Sequence, residues 1–248
     1  MALQNLVRRS VPFLVQRASP QNMIAVSKYM YISSLLDRFQ IDLVFDVGAN
    51  TGQFATSMRE IGYSGEIISF EPVREQFEAL QAKAKGDRAW RVENFALGTV
   101  EQSREINLTA MTVFASFREP VNDETPQFAG KNEVVGAETV EIRRLDKYVE
   151  ANGLAGRMGK AFLKSDTQGF DKDVLEGAGE HLASIAMVMA ELSCIPIYKD
   201  APAMMGMLEF FESRNFKPVS FFPNNHRAGD MAAIEFDYLG VNGRLHSA

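Results

Sequence analysis

The chain has little of what several common architectures need. One cysteine, Cys194, stands among 248 residues, so no intrachain disulfide can form, and a reducing, cytoplasmic compartment is the expectation. Its place in the apolar stretch before Pro196 predicts burial, as for a small hydrophobe, rather than a nucleophile's exposure. No apolar run is long enough to span a bilayer. A basic excess is missing as well: the formal charge is −6, which argues against a broad nucleic-acid footprint. Neither an internal repeat nor a low-complexity tract is visible. The apolar fraction is that of a globular protein.

What is present begins at residues 41–52, Ile-Asp-Leu-Val-Phe-Asp-Val-Gly-Ala-Asn-Thr-Gly. Ile41 to Val47 reads as a strand buried on both faces. The loop with Gly48 and Gly52 follows, and then a helical pattern on Phe54, Met58 and Ile61. Strand, glycine turn and helix make the first half of a βαβ unit. In open α/β sheets the crevice beyond such strand ends binds ligands.

The loop lacks one thing a dinucleotide site needs. Where G-x-G-x-x-G has its second glycine, this chain has Asn50, whose side chain crowds a pyrophosphate. Asp46 also stands just before the first glycine. A ligand with a cationic end and no phosphate suits this loop, and S-adenosylmethionine has those properties. Glu71 closes the second strand about 20 residues further on, where a carboxylate can accept from both ribose hydroxyls.

Further alternation predicts helices over 21–40, 52–61, 73–85, 146–151, 171–182 and 203–213. Strands are expected at 65–71, 89–95, 161–165, 185–190, 216–222 and 232–238. The last two strands follow each other without a helix and are expected to pair antiparallel. Residues 99–144 break the rhythm. They predict a β-rich insertion, with strands at 104–108, 112–117 and 139–143, and a long polar loop over 118–137. That loop is either substrate-facing or without order of its own. A glycine-rich linker is expected over 153–159. Glu71, Asp166 and Glu191 each end a candidate parallel strand, so all three fall on one rim.

The pattern resembles the FkbM family of S-adenosylmethionine-dependent methyltransferases. The matching stretches are Asp46-Val-Gly-Ala-Asn-Thr-Gly52, Ser69-Phe-Glu-Pro72, Asn94-Phe-Ala-Leu-Gly98, Leu163-Lys-Ser-Asp-Thr-Gln-Gly-Phe170 with Val174-Leu-Glu-Gly-Ala178, and Glu191-Leu-Ser with Pro196-Ile-Tyr198. Ser165 stands where the family usually has a hydrophobic residue. The resemblance implies an α/β class I Rossmann-like fold, with a seven-stranded, mostly parallel sheet and an antiparallel last strand. It implies O-methylation of a hydroxyl on a sugar of a glycan or glycolipid, or on a polyketide-type metabolite.

By the same resemblance, Asp46, Gly48, Ala49, Asn50, Thr51 and Gly52 hold the methionine part of the cofactor. Glu71 and Pro72 take the ribose side, and Asn94, Phe95 and Ala96 flank the adenine. Asp166 lies next to the methyl group. Ser116 sits in a segment that often carries serines in sugar-methylating relatives. Lys164, Gln168, Tyr198 and Arg227 are further acceptor-side candidates.

A hydroxyl's proton must leave, so a carboxylate or histidine within hydrogen-bond reach is required. Asp166 is the first candidate, Glu191 the second, and His226 in the loop Pro223–Met231 a third. Alternatively Asp166 and Glu191 hold a divalent metal, compatible with magnesium, that lowers the acceptor's pKa. Competing functions are N-methylation of a macromolecule, a scaffold that binds the cofactor without catalysis, and NAD-dependent oxidoreduction. The first is weakened by the charge and by the lack of an Asn/Asp-Pro-Pro-aromatic motif. The third is weakened by Asn50.

Residues 1–40 are expected to form a helical arm, 41–240 the catalytic domain and 241–248 a tail. No acid precedes Asp37, while Arg8, Arg9, Arg17 and Lys28 are present. The apolar run Val11–Val15 is too short for a secretory signal. The arm either lies on a membrane surface as a basic amphipathic helix, or covers the cofactor or packs on a second subunit of a homodimer.

Overall fold

The computed structural model describes residues 20–246. Arg8, Arg9 and Arg17, and with them the basic end of the expected arm, lie outside the described residues. Helix α1 (Pro20–Arg38) leads into β1 (Leu43–Val47), α2 (Gln53–Glu60), β2 (Glu66–Phe70), α3 (Arg74–Ala84) and β3 (Trp90–Glu93). After the insertion come α4 (Leu145–Ala151), β7 (Ala161–Ser165), α5 (Asp171–Gly177), β8 (Met187–Ser193), α6 (Met204–Ser213), β9 (Phe216–His226) and β10 (Ala233–Asn242).

The main sheet has seven strands in the order β3-β2-β1-β7-β8-β10-β9. Only β10 runs antiparallel, wedged between β8 and β9. The α/β fold expected from the alternation is the one observed. The strand order reverses between β1 and β7, which opens the ligand crevice beyond their C-terminal ends.

The sheet is covered on both faces, which is why β1 and β7 are buried at every position. Leu43, Phe45, Val47, Leu163 and Val188 face one core, with Val149, Leu175 and Phe211 from the helices. Val44, Phe162, Met187 and Met189 face the other, beneath Ile32 and Leu36 of α1 and Phe54 and Met58 of α2. α1 is therefore a packed part of the domain. Strand alternation puts Asp46 and Lys164 on this second face, two residues beyond Val44 and Phe162.

The insertion builds a second sheet from β4 (Ala96–Leu97), β5 (Gln102–Thr109) and β6 (Val134–Arg143), in the order β4-β6-β5. The expected strand 112–117 is not one. Thr112–Phe114 is a single 3-10 turn, and only Ser116 bridges back to Asn107. The chain must reverse here, so the segment turns rather than extends. The polar stretch after it is tied down. Asn122 and Asn132 exchange amide hydrogen bonds, and Val121 N–H donates to the Ile197 carbonyl.

Three other expectations are corrected. The glycine-rich 153–159 linker is largely a 3-10 turn, Ala155–Lys160, anchored by buried Met158. The helix over 171–182 splits into α5 and a 3-10 turn, Gly179–Ser184. Cys194 is exposed, because β8 ends at Ser193 and the thiol lies just beyond it beside the Met204 sulfur.

Candidate active site

Beyond the ends of β1, β2, β7 and β8 lies a cavity of about 410 Å³. Its β1–β2 end is made mainly of backbone. Gly48, Asn50 and Gly52 all adopt left-handed φ, at +69°, +47° and +84°, so the loop coils tightly. The N–H groups of Gly48 and Ala49 both donate to the Phe70 carbonyl. A Cβ on Gly48 would lie 1.9 Å from the Asp166 carbonyl oxygen. The glycine is therefore required by the crossing of two loops, and one on Gly52 would press on Leu80 and Trp90.

Glu71 fixes the loop from the other side. Its carboxylate accepts from Asn50 N–H at 2.8 Å and from Val73 N–H at 2.9 Å. Burial pushes this carboxyl up to about 7, against the pull of those two N–H groups. The Asn94 amide donates to the carbonyls of Glu71 and Pro72. Beneath the loop, Lys164 pairs with buried Asp46 at 3.0 Å and donates to the carbonyls of Val47 and Gly48. Burial alone would lower the Lys164 ammonium, but Asp46 and Asp166 outweigh it and raise it above the ordinary lysine value. Ser69, hydrogen-bonded to Trp90, closes the row by donating to Asp46.

The other end is built from side chains. Gln168, held at a left-handed φ of +53°, donates its amide to Asp166 at 3.0 Å and to Glu191 at 3.1 Å. Its own amide oxygen accepts from the Tyr198 hydroxyl at 2.8 Å, and its carbonyl accepts from Ser116 at 2.7 Å. Asn224 donates to Glu191 at 2.6 Å, and Asn225 to Glu235 at 3.0 Å. Lys28 of α1 reaches Asp237 at 2.8 Å. One shell behind, Asp171 accepts from Ser165 at 2.6 Å, and burial pushes it up to about 6.

The structure brings Gly48, Ala49, Asn50, Glu71, Pro72, Ala96, Lys164, Asp166, Gln168 and Glu191 to the cavity wall. Asp46 and Asn94 stand behind that wall and brace it, and Phe95 is in the core. Thr51 and Gly52 shape the loop without lining the cavity. Ser116 and Tyr198 are buried and hold Gln168. His226 and Arg227 are not part of the lining. β9 runs four residues past its expected end, and it is Asn224 and Asn225 that face inward. Arg227 pairs instead with Asp230 and Glu124.

Missed from the sequence were Lys28, Asn224, Asn225, Glu235 and Asp237. The alternation of β10 could have put Glu235 and Asp237 on one face, but not told which face. Among the described residues, no group of three or more histidine, cysteine, aspartate or glutamate side chains is arranged to hold a metal ion. Asp166 and Glu191 share the Gln168 N–H donors where a cation would have to sit.

The lining carries the carboxyls of Glu71, Asp166, Glu191, Glu235 and Asp237 against the ammoniums of Lys28 and Lys164. Both ammoniums are already engaged by acids. This donor set fits a cationic ligand and opposes a phosphate.

A family model described as the methyltransferase FkbM domain matches residues 46–218. Among solved structures, the magnesium protoporphyrin IX methyltransferase of Synechocystis PCC 6803 with bound SAH is similar, at 8% identity over 90% of this chain and 85% of that one, with a TM-score of 0.47. Fibrillarin of Aeropyrum pernix with bound S-adenosyl-L-methionine gives 10% identity, 81% and 66% coverage and a TM-score of 0.41. An uncharacterized protein of Listeria monocytogenes serotype 4b gives 10% identity and a TM-score of 0.44, over 86% of this chain and 66% of its own length. No curated protein matches the chain.

Proposed function

The chain belongs to the FkbM methyltransferase family and is an S-adenosylmethionine-dependent methyltransferase; on that premise we propose that it methylates a hydroxyl of a sugar, in a glycan or glycolipid, with residues 41–240 as the catalytic domain. The observation that carries this is the β8–β10 end of the cavity. Asp166, Glu191, Glu235, Asn224, Asn225 and Gln168 present carboxylates and amides side by side there. Such planar groups pair with neighbouring hydroxyls of a polyol, and the acid excess disfavours an anionic acceptor.

When bound, S-adenosylmethionine supplies an activated methyl group on a cationic sulfur. Gly48–Asn50 and the acid excess of the rim would hold its amino-acid part. Glu71 retains lone pairs on both oxygens beyond its two backbone bonds, and would take the ribose hydroxyls. Ala96 and Pro72 would border the adenine. Asp166, fixed by Gln168, orients the acceptor oxygen, so this end contributes proximity and alignment. Phe114, Phe117 and Phe170 line the side toward the insertion and exclude water.

Two measurements test this. Calorimetry should show that S-adenosylmethionine binds and that NAD does not. Incubation with a panel of glycosides should release S-adenosylhomocysteine. Release with a peptide or RNA acceptor and with no glycoside would overturn the hydroxyl assignment, and binding without any release would favour a scaffold.

A further inference from the structure

β8 and β10 run antiparallel with Asp237 opposite Glu191 and Glu235 opposite Ser193. Glu191 and Glu235 are therefore diagonal neighbours on one sheet face. Both are buried, both line the cavity, and their carboxyls lie within hydrogen-bonding reach of each other. Each is aimed by an amide of β9, Asn224 for Glu191 and Asn225 for Glu235. Amides donate to a carboxylate without neutralising it.

Counter-charge is taken up elsewhere. Lys28 from α1 is bound by Asp237, and Lys164 from β7 by Asp46. The other titratable groups whose charge bears on the two glutamates include Asp166 beyond β7, Asp171 of α5, Asp237 of β10, the Cys194 thiol and the Tyr198 hydroxyl. None of these is a cation. Two buried carboxyls so close together cannot both ionise at little cost, so ionising one raises the other.

We propose that Glu191 and Glu235 act as one proton-accepting pair that takes the proton of the acceptor hydroxyl. This rests on the assignment of the cavity to hydroxyl methylation. The acceptor's O–H bond breaks and its proton passes to the ionised member of the pair. The oxygen's electron pair forms the new O–C bond, while the pair of the breaking C–S bond stays on sulfur, which becomes neutral. The glutamates go from one shared proton to two and then release one to water. Asp166, on the far side of the Gln168 amide, is a positioning residue in this scheme. Burial, and then Glu235 and Asp166, raise Glu191 well above the ordinary glutamate value. Burial raises Glu235 to about 7 despite its bond from Asn225, close to where a base works best at neutral pH.

The test begins without cofactor or acceptor. In protein labelled with carbon-13 at glutamate carboxyls, nuclear magnetic resonance should show Glu191 and Glu235 titrating together in two steps, the upper one well above the ordinary glutamate range. E191Q should return Glu235 to a single step, at least about 1 pH unit lower. Identical titration of Glu235 in wild type and E191Q overturns the pair.

A kinetic arm uses methyl glycosides of common hexoses. E235Q should lower kcat on the order of a hundredfold and remove the acid limb of its pH profile. Acceptor KM and S-adenosylmethionine affinity should stay within about threefold, the latter also reporting an intact fold. An unchanged kcat in E235Q overturns the proposal. If wild type methylates no glycoside, the hydroxyl assignment fails, and the titration alone decides whether the pair exists.

Discussion

The two ends of the cavity are built by opposite means. The β1–β2 end is a backbone structure, with left-handed turns, loop N–H groups on the Phe70 carbonyl, and a buried glutamate clamping two more N–H groups. The β8–β10 end is a side-chain structure, in which three amides hold three carboxyls. A backbone-built end is rigid and resists change, since altering it disturbs the fold. A side-chain-built end can change its chemistry residue by residue while the strands stay put. That division suits an invariant donor at one end and an acceptor particular to this enzyme at the other.

The sharpest way to break the contrast is at Lys164, under the backbone-built end. Lys164→Met leaves Asp46 buried without its counter-ion and should cost roughly 3–5 kcal/mol in chemical denaturation. Adding Asp46→Asn should recover a good part of that loss. A Lys164→Met protein as stable as wild type would show that the pair beneath the loop does not hold it.

Next in size is the split between the two ends. Glu71→Ala should weaken S-adenosylmethionine binding about tenfold or more by calorimetry, since the loop loses its clamp. Asp166→Ala should cut turnover on the order of a hundredfold and leave that affinity within about threefold. Equal losses of affinity in both variants would dissolve the distinction.

A smaller effect is expected with pH. Glu71 sits at about 7 in the folded chain against an ordinary 4.5. Between those values the folded state binds more protons than the unfolded one. This group's stabilising share is therefore complete below about 4.5 and is lost as pH rises to about 7. Glu71→Gln should flatten that part of the stability curve, by roughly 3 kcal/mol at the upper bound. Thermal melts of both proteins across this range check the slope rather than the absolute value, because Gln also loses one acceptor oxygen. The smallest effect belongs to Arg227→Ala. Its partners Asp230 and Glu124 lie outside the cavity, so melting temperature, cofactor affinity and acceptor KM should all stay unchanged.

The same contrast explains what was legible. Asp46, Gly48, Asn50 and Glu71 lie within one strand–loop–helix–strand stretch, so spacing alone puts them together. Asp166 and Glu191 could be placed because each follows a recognisable buried strand. Lys28, Asn224, Asn225, Glu235 and Asp237 could not, since they meet only where α1, β9 and β10 close over β8, up to 209 residues apart along the chain. His226 was attractive as a histidine in a polar loop. The extension of β9 turned the two residues before it, Asn224 and Asn225, inward instead.

The sequence by itself determined the alternation of buried strands and covering helices, the tight loop after β1 and the acids at the strand ends, because these follow from local pattern and from a parallel sheet's common direction. Only the tertiary structure decided which side chains face each other across the cavity. Strand register, and the side on which α1 packs, fix whether a carboxyl meets an amide, an ammonium or a second carboxyl, and neither is written in any one segment.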